Sequence, residues 1–174
     1  MPLIYIKGSP GTGKSTIQAE LLKLGYEAHD ADDPDVGSAY NNATNQKVSV
    51  PEASLRTPEW FAAHSWRLIP EAIETLHEKA RDKIIFLTGT ANNEDDVWHL
   101  FDKVLFLNVD ETTLKNRILN RTDNDYGKNG FEMKLILAKY HADLKKRFRP
   151  GVTPIDASRP IEEVIQQILT KAES

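Results

Sequence analysis

The sequence predicts an α/β protein: a five-stranded parallel sheet covered by helices on both faces, a three-layer arrangement, with a small lobe and a lid attached. Three observations predict it. Apolar runs recur five times, at residues 3–6, 26–29, 83–88, 104–107 and 152–155, and segments of helical spacing separate them. Such alternation implies a parallel sheet wrapped on both sides. The run Lys83-Ile84-Ile85-Phe86-Leu87-Thr88 is apolar on both faces, as buried parallel strands are. Finally, the roughly 50 residues between the second and third strands exceed a simple crossover, so residues 33–82 read as a lobe of their own.

Each element has a local reason. Leu3-Ile4-Tyr5-Ile6 runs into Lys7-Gly8 as a buried strand. From Lys14 the residues Ile17, Leu21 and Leu24 keep helical spacing, and Gly25 follows as a stop. Tyr26 to His29 is the second strand and enters the acidic string Asp30-Ala31-Asp32-Asp33. Residues 33–51 are polar and turn-rich, which predicts loop or short helix. Thr57-Pro58-Glu59 sets a capping residue before a proline at the first helical position. One long helix is expected from there to about Arg81, bent at Pro70. Asn93 is the expected cap of a short helix whose first turn holds Glu94, Asp95 and Asp96, where the helix dipole favours acids. Asp110 caps a helix containing Leu114, Ile118 and Leu119. Thr122 to Gly130 breaks the pattern, Phe131 to Phe148 resumes it, and Ile161, Val164, Ile165 and Ile168 share one face of a closing helix.

The 174 residues suit a single domain spanning 1–174, with 33–82 as its lobe and 122–130 as its lid. The absence of cysteine excludes disulfides, thiolate catalysis and cysteine-based zinc sites. The five histidines, at 29, 64, 77, 99 and 141, lack metal-ligand spacing, and no G-x-S-x-G elbow supports acyl transfer. No run approaches 18 apolar residues, so no membrane partner is expected, and the N-terminal residues lack a signal-peptide layout, so a cytoplasmic location is expected. The net charge of −4 hides an asymmetry: Lys115 to Arg149 holds 10 basic and 4 acidic residues on an otherwise acidic chain. Such a segment suits a small anionic ligand, an RNA surface or solvent alone. In that stretch Lys145, Lys146, Arg147 and Arg149 read as surface charges.

Gly8-Ser9-Pro10-Gly11-Thr12-Gly13-Lys14-Ser15-Thr16 satisfies G-x-x-x-x-G-K-[ST] in full, between a strand and a helix as that motif requires. Glycines let the backbone turn so that its N–H groups converge on phosphate oxygens at a helix N-terminus. Lys14 reaches the β- and γ-phosphates of ATP or GTP, and the Ser15 hydroxyl ligates Mg²⁺. In a parallel sheet the end of an adjacent strand faces the same crevice, which brings Asp30 and Asp32 near the metal and the γ-phosphate. The competing reading of that string is an acidic loop that caps the next helix.

These residues resemble a small P-loop kinase of the nucleotide- and shikimate-kinase type, and within it the nucleoside-kinase-like bacterial ATP-binding proteins. The likeness rests on the P-loop, on Asp30-Ala31-Asp32, on the lid-like stretch from Leu114 to Gly130, and on Ile155-Asp156-Ala157-Ser158-Arg159-Pro160. It implies a P-loop NTPase fold with ATP and Mg²⁺ as cofactors. By that likeness Asp30 holds a magnesium-bound water, and Asp32 orients the acceptor hydroxyl and takes its proton, with Asp33 as its substitute if the register shifts by one. Arg117 and Arg121, four apart and so on one helix face, resemble the paired arginines that enter the lid and touch adenine and the transferring phosphoryl group. Arg159 resembles the side chain that holds the base. Gly127 and Gly130 are candidate hinges, and Gly89-Thr90-Ala91 sits where the family has a glycine-containing acceptor loop.

The acceptor pocket falls to residues 33–82, where Arg56 and Arg67 are candidates to pair with a substrate carboxylate or phosphate. Tyr40, Trp60, Phe61 and Trp66 line it or belong to the core. The Thr-Gly-Asp-x-x-Arg stretch of nucleoside monophosphate kinases is missing here. The expected function is therefore transfer of the ATP γ-phosphoryl group to a hydroxyl of a small molecule. Two alternatives stay open: a nucleoside monophosphate kinase, and an ATP-binding switch or weak ATPase acting on RNA or a protein partner. A small-molecule acceptor is the expected partner, a nucleic acid is not, and the oligomeric state is undetermined by the sequence.

Overall fold

The computed structural model describes residues 1–52, 55–122, 125–146 and 148–174. In chain order the elements are β1 (Leu3–Lys7), α1 (Lys14–Lys23), β2 (Glu27–Asp30), β3 (Gly37–Asn41), β4 (Lys47–Val48), α2 (Pro58–Ala63), β5 (His64–Leu68), α3 (Pro70–Lys79) and β6 (Ile85–Gly89). They continue as α4 (Glu94–Val97), β7 (Lys103–Asn108), α5 (Glu111–Asn120), α6 (Gly130–Lys146), β8 (Val152–Asp156) and α7 (Ile161–Glu173). Five strands form one parallel sheet in the order β2-β6-β1-β7-β8. This is the five-stranded parallel sheet that the apolar runs predict.

The alternation of side chains along β1 sorts the core into two layers. Ile4 and Ile6 face one side with Ile17 and Leu21 of α1, Leu114 and Ile118 of α5, Ile136 of α6, and Val164 and Ile168 of α7. Leu3 and Tyr5 face the other with Ile73 and Leu76 of α3, Val97 of α4, and Phe101, which stacks on the Tyr5 ring at 4.6 Å. Helices on both faces are what force the strands to be apolar throughout. Each fully buried Leu, Ile or Phe contributes roughly 1.5–3 kcal/mol by leaving water.

The segment between β2 and β6 departs from expectation twice. Residues 33–51 hold two strands instead of loop or short helix, and β5 interrupts what reads as one helix from Thr57 to Arg81. β3, β4 and β5 form a second, antiparallel sheet in the order β4-β3-β5, with Gly37 opposite Leu68 and Asn41 opposite His64. The Thr57 hydroxyl accepts from the Trp60 N–H (3.3 Å) and starts α2, which lasts only to Ala63. Pro70 does not bend a helix; it opens α3, where its missing N–H leaves no bond unmade. Asn93 precedes α4 but its side chain does not cap it. Instead it accepts from the Leu68 N–H (2.8 Å) and donates to the Leu68 carbonyl (2.9 Å), while Asn92 Oδ1 accepts from the Trp66 N–H (3.1 Å). Two asparagine side chains thus complete the hydrogen bonding of β5 and fasten the small sheet to the end of β6.

Candidate active site

The ends of the parallel strands meet at one level. Lys7 of β1 pairs with Gly89 of β6, and Asp30 of β2 with Thr88. Strand order reverses on either side of β1, the position where open α/β sheets form a crevice. A cleft of about 980 Å³ opens there.

The P-loop forms its floor. Gly11 and Gly13 adopt φ of +86° and +98°, the left-handed region where other residues are strained. A Cβ at Gly11 would lie 2.8 Å from Ile118 Cγ1 and 3.0 Å from the Leu114 carbonyl, so α5 packs against the bare backbone. Gly8 and Ser9 do not line the cleft. They lie beneath it, both buried, with the Thr12 hydroxyl donating to the Ser9 carbonyl at 2.8 Å. Pro10, Gly11, Thr12, Gly13, Lys14, Ser15 and Thr16 all line it.

Lys14 folds back over its own loop, its ammonium donating to the Gly8 carbonyl at 2.6 Å and the Ser9 carbonyl at 3.1 Å. Desolvation lowers its pKa to about 8, against the pull of Asp32 and Asp30, and Lys139 and Arg121 push the same way as desolvation. Asp30 and Asp32 both line the cleft, joined by the Asp32 N–H donating to Asp30 Oδ1 at 3.0 Å. The Asp32 carboxylate reaches solvent, but the cleft walls displace part of its hydration shell. That desolvation, then the Asp30 charge, raises its pKa, and Lys14 opposes the rise. Asp33 turns away from this pair: its carboxylate accepts from the Asp30 N–H at 3.1 Å. It does not line the cleft. Gly89 has φ of +153°, and a Cβ there would overlap that of Ala31, so only glycine lets β6 run this close to the acidic loop.

The arginines divide by environment. Arg117 lines the cleft and donates to the Ala157 carbonyl (3.0 Å) and the Thr12 carbonyl (3.4 Å), bridging α5, the loop after β8 and the P-loop. Arg121 also lines it and donates to the Tyr126 carbonyl, leaving its buried Nε without a hydrogen bond. Arg159 sits exposed at the rim, paired with Asp156 (3.4 Å) and Glu163 (3.9 Å). Arg56 lines the cleft, 3.7 Å from the buried Glu132, with its guanidinium 5.7 Å from the Tyr126 ring centre. Arg67 is a correction: it does not reach the cleft. Asn42, Asn45 and Ser65 bind its guanidinium, which lies over the Tyr40 ring, so it clamps the small sheet. Tyr40 is likewise outside the lining, whereas Trp60, Phe61 and Trp66 are part of it.

Of the expected lid, Asp123 and Asn124 lie outside the described residues, as does Arg147. Gly127 is buried with φ of +93°, its N–H donating to Glu132 Oε2 at 2.8 Å, so that turn is packed onto α6. A Cβ at Gly130 would meet nothing within 4 Å.

Three features escape a reading by sequence alone. Lys139 of α6 lines the cleft and its charge acts on both Lys14 and Asp32. Its signal was helical spacing from the lining residues Leu135 and Ile136. His64 lines the wall, stacked on Trp60 at 4.7 Å. Lys7, taken for a strand end, is buried against Glu94. The basic segment also resolves: Lys115, Lys128 and Arg149 pair with Glu111, Asp125 and Asp95, while Arg117, Arg121 and Lys139 face the cleft.

Residues 4–137 match the AAA domain family. The chain belongs to that family. No curated protein matches the sequence significantly. Among solved structures, a shikimate kinase from Acinetobacter baumannii in complex with shikimate aligns at TM-score 0.61 and 16% identity, over 98% of this chain and 92% of that one. A gluconokinase from Sinorhizobium meliloti 1021 aligns at TM-score 0.56 and 16% identity, over 99% and 91%. A deoxyadenosine kinase from M. mycoides with bound dATP aligns at TM-score 0.55 and 20% identity, over the full length of both. At these identities the likeness is one of fold: a nucleotide-binding P-loop fold shared with small-molecule kinases. Among the described residues, no helix is long and apolar enough to cross a membrane.

Proposed function

We propose that this AAA-domain protein transfers the γ-phosphoryl group of ATP to a hydroxyl of a small molecule. One observation carries the reading: the P-loop lysine and a pair of carboxylates from the next strand share a single cleft and feel one another's charge. A hydrolase or switch also uses the lysine and one carboxylate near its metal; a phosphotransferase to an alcohol uses a second carboxylate as a base.

The residues divide the work. Backbone N–H groups of residues 11–16 cradle phosphates at the start of α1, and Lys14 leaves the Gly8 and Ser9 carbonyls to meet them. Asp32 orients the acceptor hydroxyl. Its oxygen bonds to the γ-phosphorus as the bond from phosphorus to the β-bridging oxygen breaks, the proton passes to Asp32, and ADP leaves. A carboxyl with a raised pKa is better matched to this proton transfer near neutrality than an ordinary aspartate. Arg117 and Arg121 offset charge on the equatorial oxygens, and Arg159 closes the base side.

The Ser15 hydroxyl and Asp30 carboxylate fit a magnesium ion. Both are hard oxygen donors, and such a sparse protein set is what Mg²⁺ uses when substrate phosphates complete its shell. When bound, the ion supplies neutralisation of charge on the β- and γ-phosphates. The basic residues Arg117, Arg121 and Lys139 that face the cleft favour a small anionic ligand over an RNA surface. Mg-ATP consumption measured against hydroxylated metabolites, nucleosides and nucleoside monophosphates, with a no-acceptor control, tests the reading. Turnover dependent on a hydroxyl acceptor supports it. Hydrolysis indifferent to every acceptor contradicts it, and turnover confined to monophosphates moves the acceptor atom to a phosphate oxygen.

A further inference from the structure

We propose that the acceptor is an alcohol borne on a flat heteroaromatic ring, a nucleoside or a hydroxymethyl-substituted ring, and not an open-chain polyol. This deepens the phosphotransfer reading and rests on it. The cleft wall built by α2, β5 and the turn before α6 is aromatic: Trp60, Phe61, His64, Trp66 and Tyr126 all line it, each half-buried. The rings are connected. Trp60 stacks on His64 with an interplanar angle of 19°, meets Phe61 edge-on at 5.3 Å, and Phe61 reaches Tyr126 at 6.1 Å. Trp66 is pinned beside the acidic loop, its indole N–H donating to the Ala31 carbonyl at 2.9 Å, between Asp30 and Asp32 in sequence. Rings held this way lose little freedom when a ligand stacks on them.

Two polar side chains beside these rings are already engaged. Ser65 Oγ donates to Asn42 at 2.7 Å and accepts from Arg67, and Asn92 Oδ1 is taken by the Trp66 N–H. Among the described cleft residues, Thr90 Oγ1 and the Nε atoms of Arg56 and Arg121 are buried without a hydrogen bond. A polyol set against this aromatic wall would strip water from the hydroxyls that face the rings, a penalty for each. A flat ring asks for stacking area and one hydroxyl directed to Asp32. That demand matches what the wall offers. The transfer needs no further reactant: the ring alcohol becomes a phosphate monoester as ATP becomes ADP, with the alcohol proton going to Asp32.

The test uses the full chain with Mg-ATP and reads ADP release. The probes are the ribo- and deoxyribonucleosides and pyridoxine as flat-ring alcohols, and gluconate, ribitol and shikimate as non-aromatic ones. Turnover is expected with a flat-ring probe, nucleosides alone or pyridoxine alone deciding which source it is. Trp60→Leu should raise the acceptor KM about tenfold or more, the scale of a lost base–aromatic stack, with the ATP KM within twofold. Trp60→Phe should restore most of the loss. If Trp60→Leu does not fold, quenching of the wild-type tryptophan fluorescence by the accepted ring compound, absent with gluconate, reads the same contact. Turnover of gluconate, ribitol or shikimate above every flat-ring probe overturns the proposal and leaves the phosphotransfer reading standing. No acceptor-dependent turnover at all overturns both.

Discussion

Lys7 and Glu94 form an ion pair inside the protein, their side chains only 1% and 4% exposed. Lys7 is the last residue of β1 before the P-loop, and Glu94 also accepts from the Tyr5 hydroxyl (2.9 Å) and the Ala91 N–H (3.2 Å). The pair therefore ties β1, which runs into the phosphate loop, to α4, which follows Gly89 and Thr90 in the chain.

Removing one partner leaves the other charged and buried. Lys7→Met should cost about 3–5 kcal/mol in urea unfolding, and Lys7→Met/Glu94→Leu should recover much of that. The pH dependence follows from Glu94. Burial alone would raise its carboxyl, but the Lys7 charge and the hydrogen bonds from Lys7, Ala91 and Tyr5 outweigh burial and hold it below the ordinary 4.5. A depressed folded pKa means that its contribution is complete above about pH 4.5 and is lost as pH falls through the folded value. The double variant should lack that component of acid destabilisation.

Lys14 gives nucleotide binding a pH dependence at the alkaline end. Phosphate binding favours the charged ammonium, whose pKa in the free protein is about 8. ATP affinity should be flat below pH 8 and fall above it, by at most about tenfold per pH unit. Titration calorimetry from pH 7 to 9.5 checks this; Lys14→Met should bind weakly with no such slope.

Gly11 and Gly13 separate strain from overlap. Gly13→Ala meets nothing closer than Arg117 Nη1 at 3.8 Å, so it should lose about 1–2 kcal/mol through backbone strain alone. Gly11→Ala adds the collision with Ile118 and Leu114 and should lose more. Thermal unfolding of the two variants tests that order.

Arg67 and Arg56 should respond oppositely. Arg67→Ala removes the clamp on Asn42, Asn45 and Ser65 and should lower stability by about 1–2 kcal/mol with the acceptor KM little changed. Arg56→Ala should raise the acceptor KM. An Arg67→Ala defect confined to acceptor KM would restore it to the substrate side.

Much of this was legible because it is local. The P-loop, its flanking strand and helix, and the apolar runs of the parallel sheet follow from residue type and spacing within short windows. The small sheet does not. Residues 64–68 carry no turn signal that separates them from α2, and β5 becomes a strand through β3 and through the Asn92 and Asn93 side chains, which lie more than 20 residues away. Arg67 alternates with Trp66 along β5, so pairing in a sheet sends the two to opposite faces, and only one meets the cleft. On a helix that division would not arise. Lys7 was missed for a related reason: a lysine at a strand end is ordinarily solvated, and its partner stands 87 residues on.

Asp32→Asn, assayed for acceptor-dependent ADP formation beside ATP affinity, tests the central claim most directly. The substitution keeps the shape of the side chain and removes the proton acceptor. If Asp32 takes the acceptor proton, kcat falls by about 10²–10⁴-fold while the ATP Kd stays within about threefold. If transfer and ATP binding fall together, or transfer survives unchanged, Asp32 is not the base and phosphotransfer to a hydroxyl loses its main support.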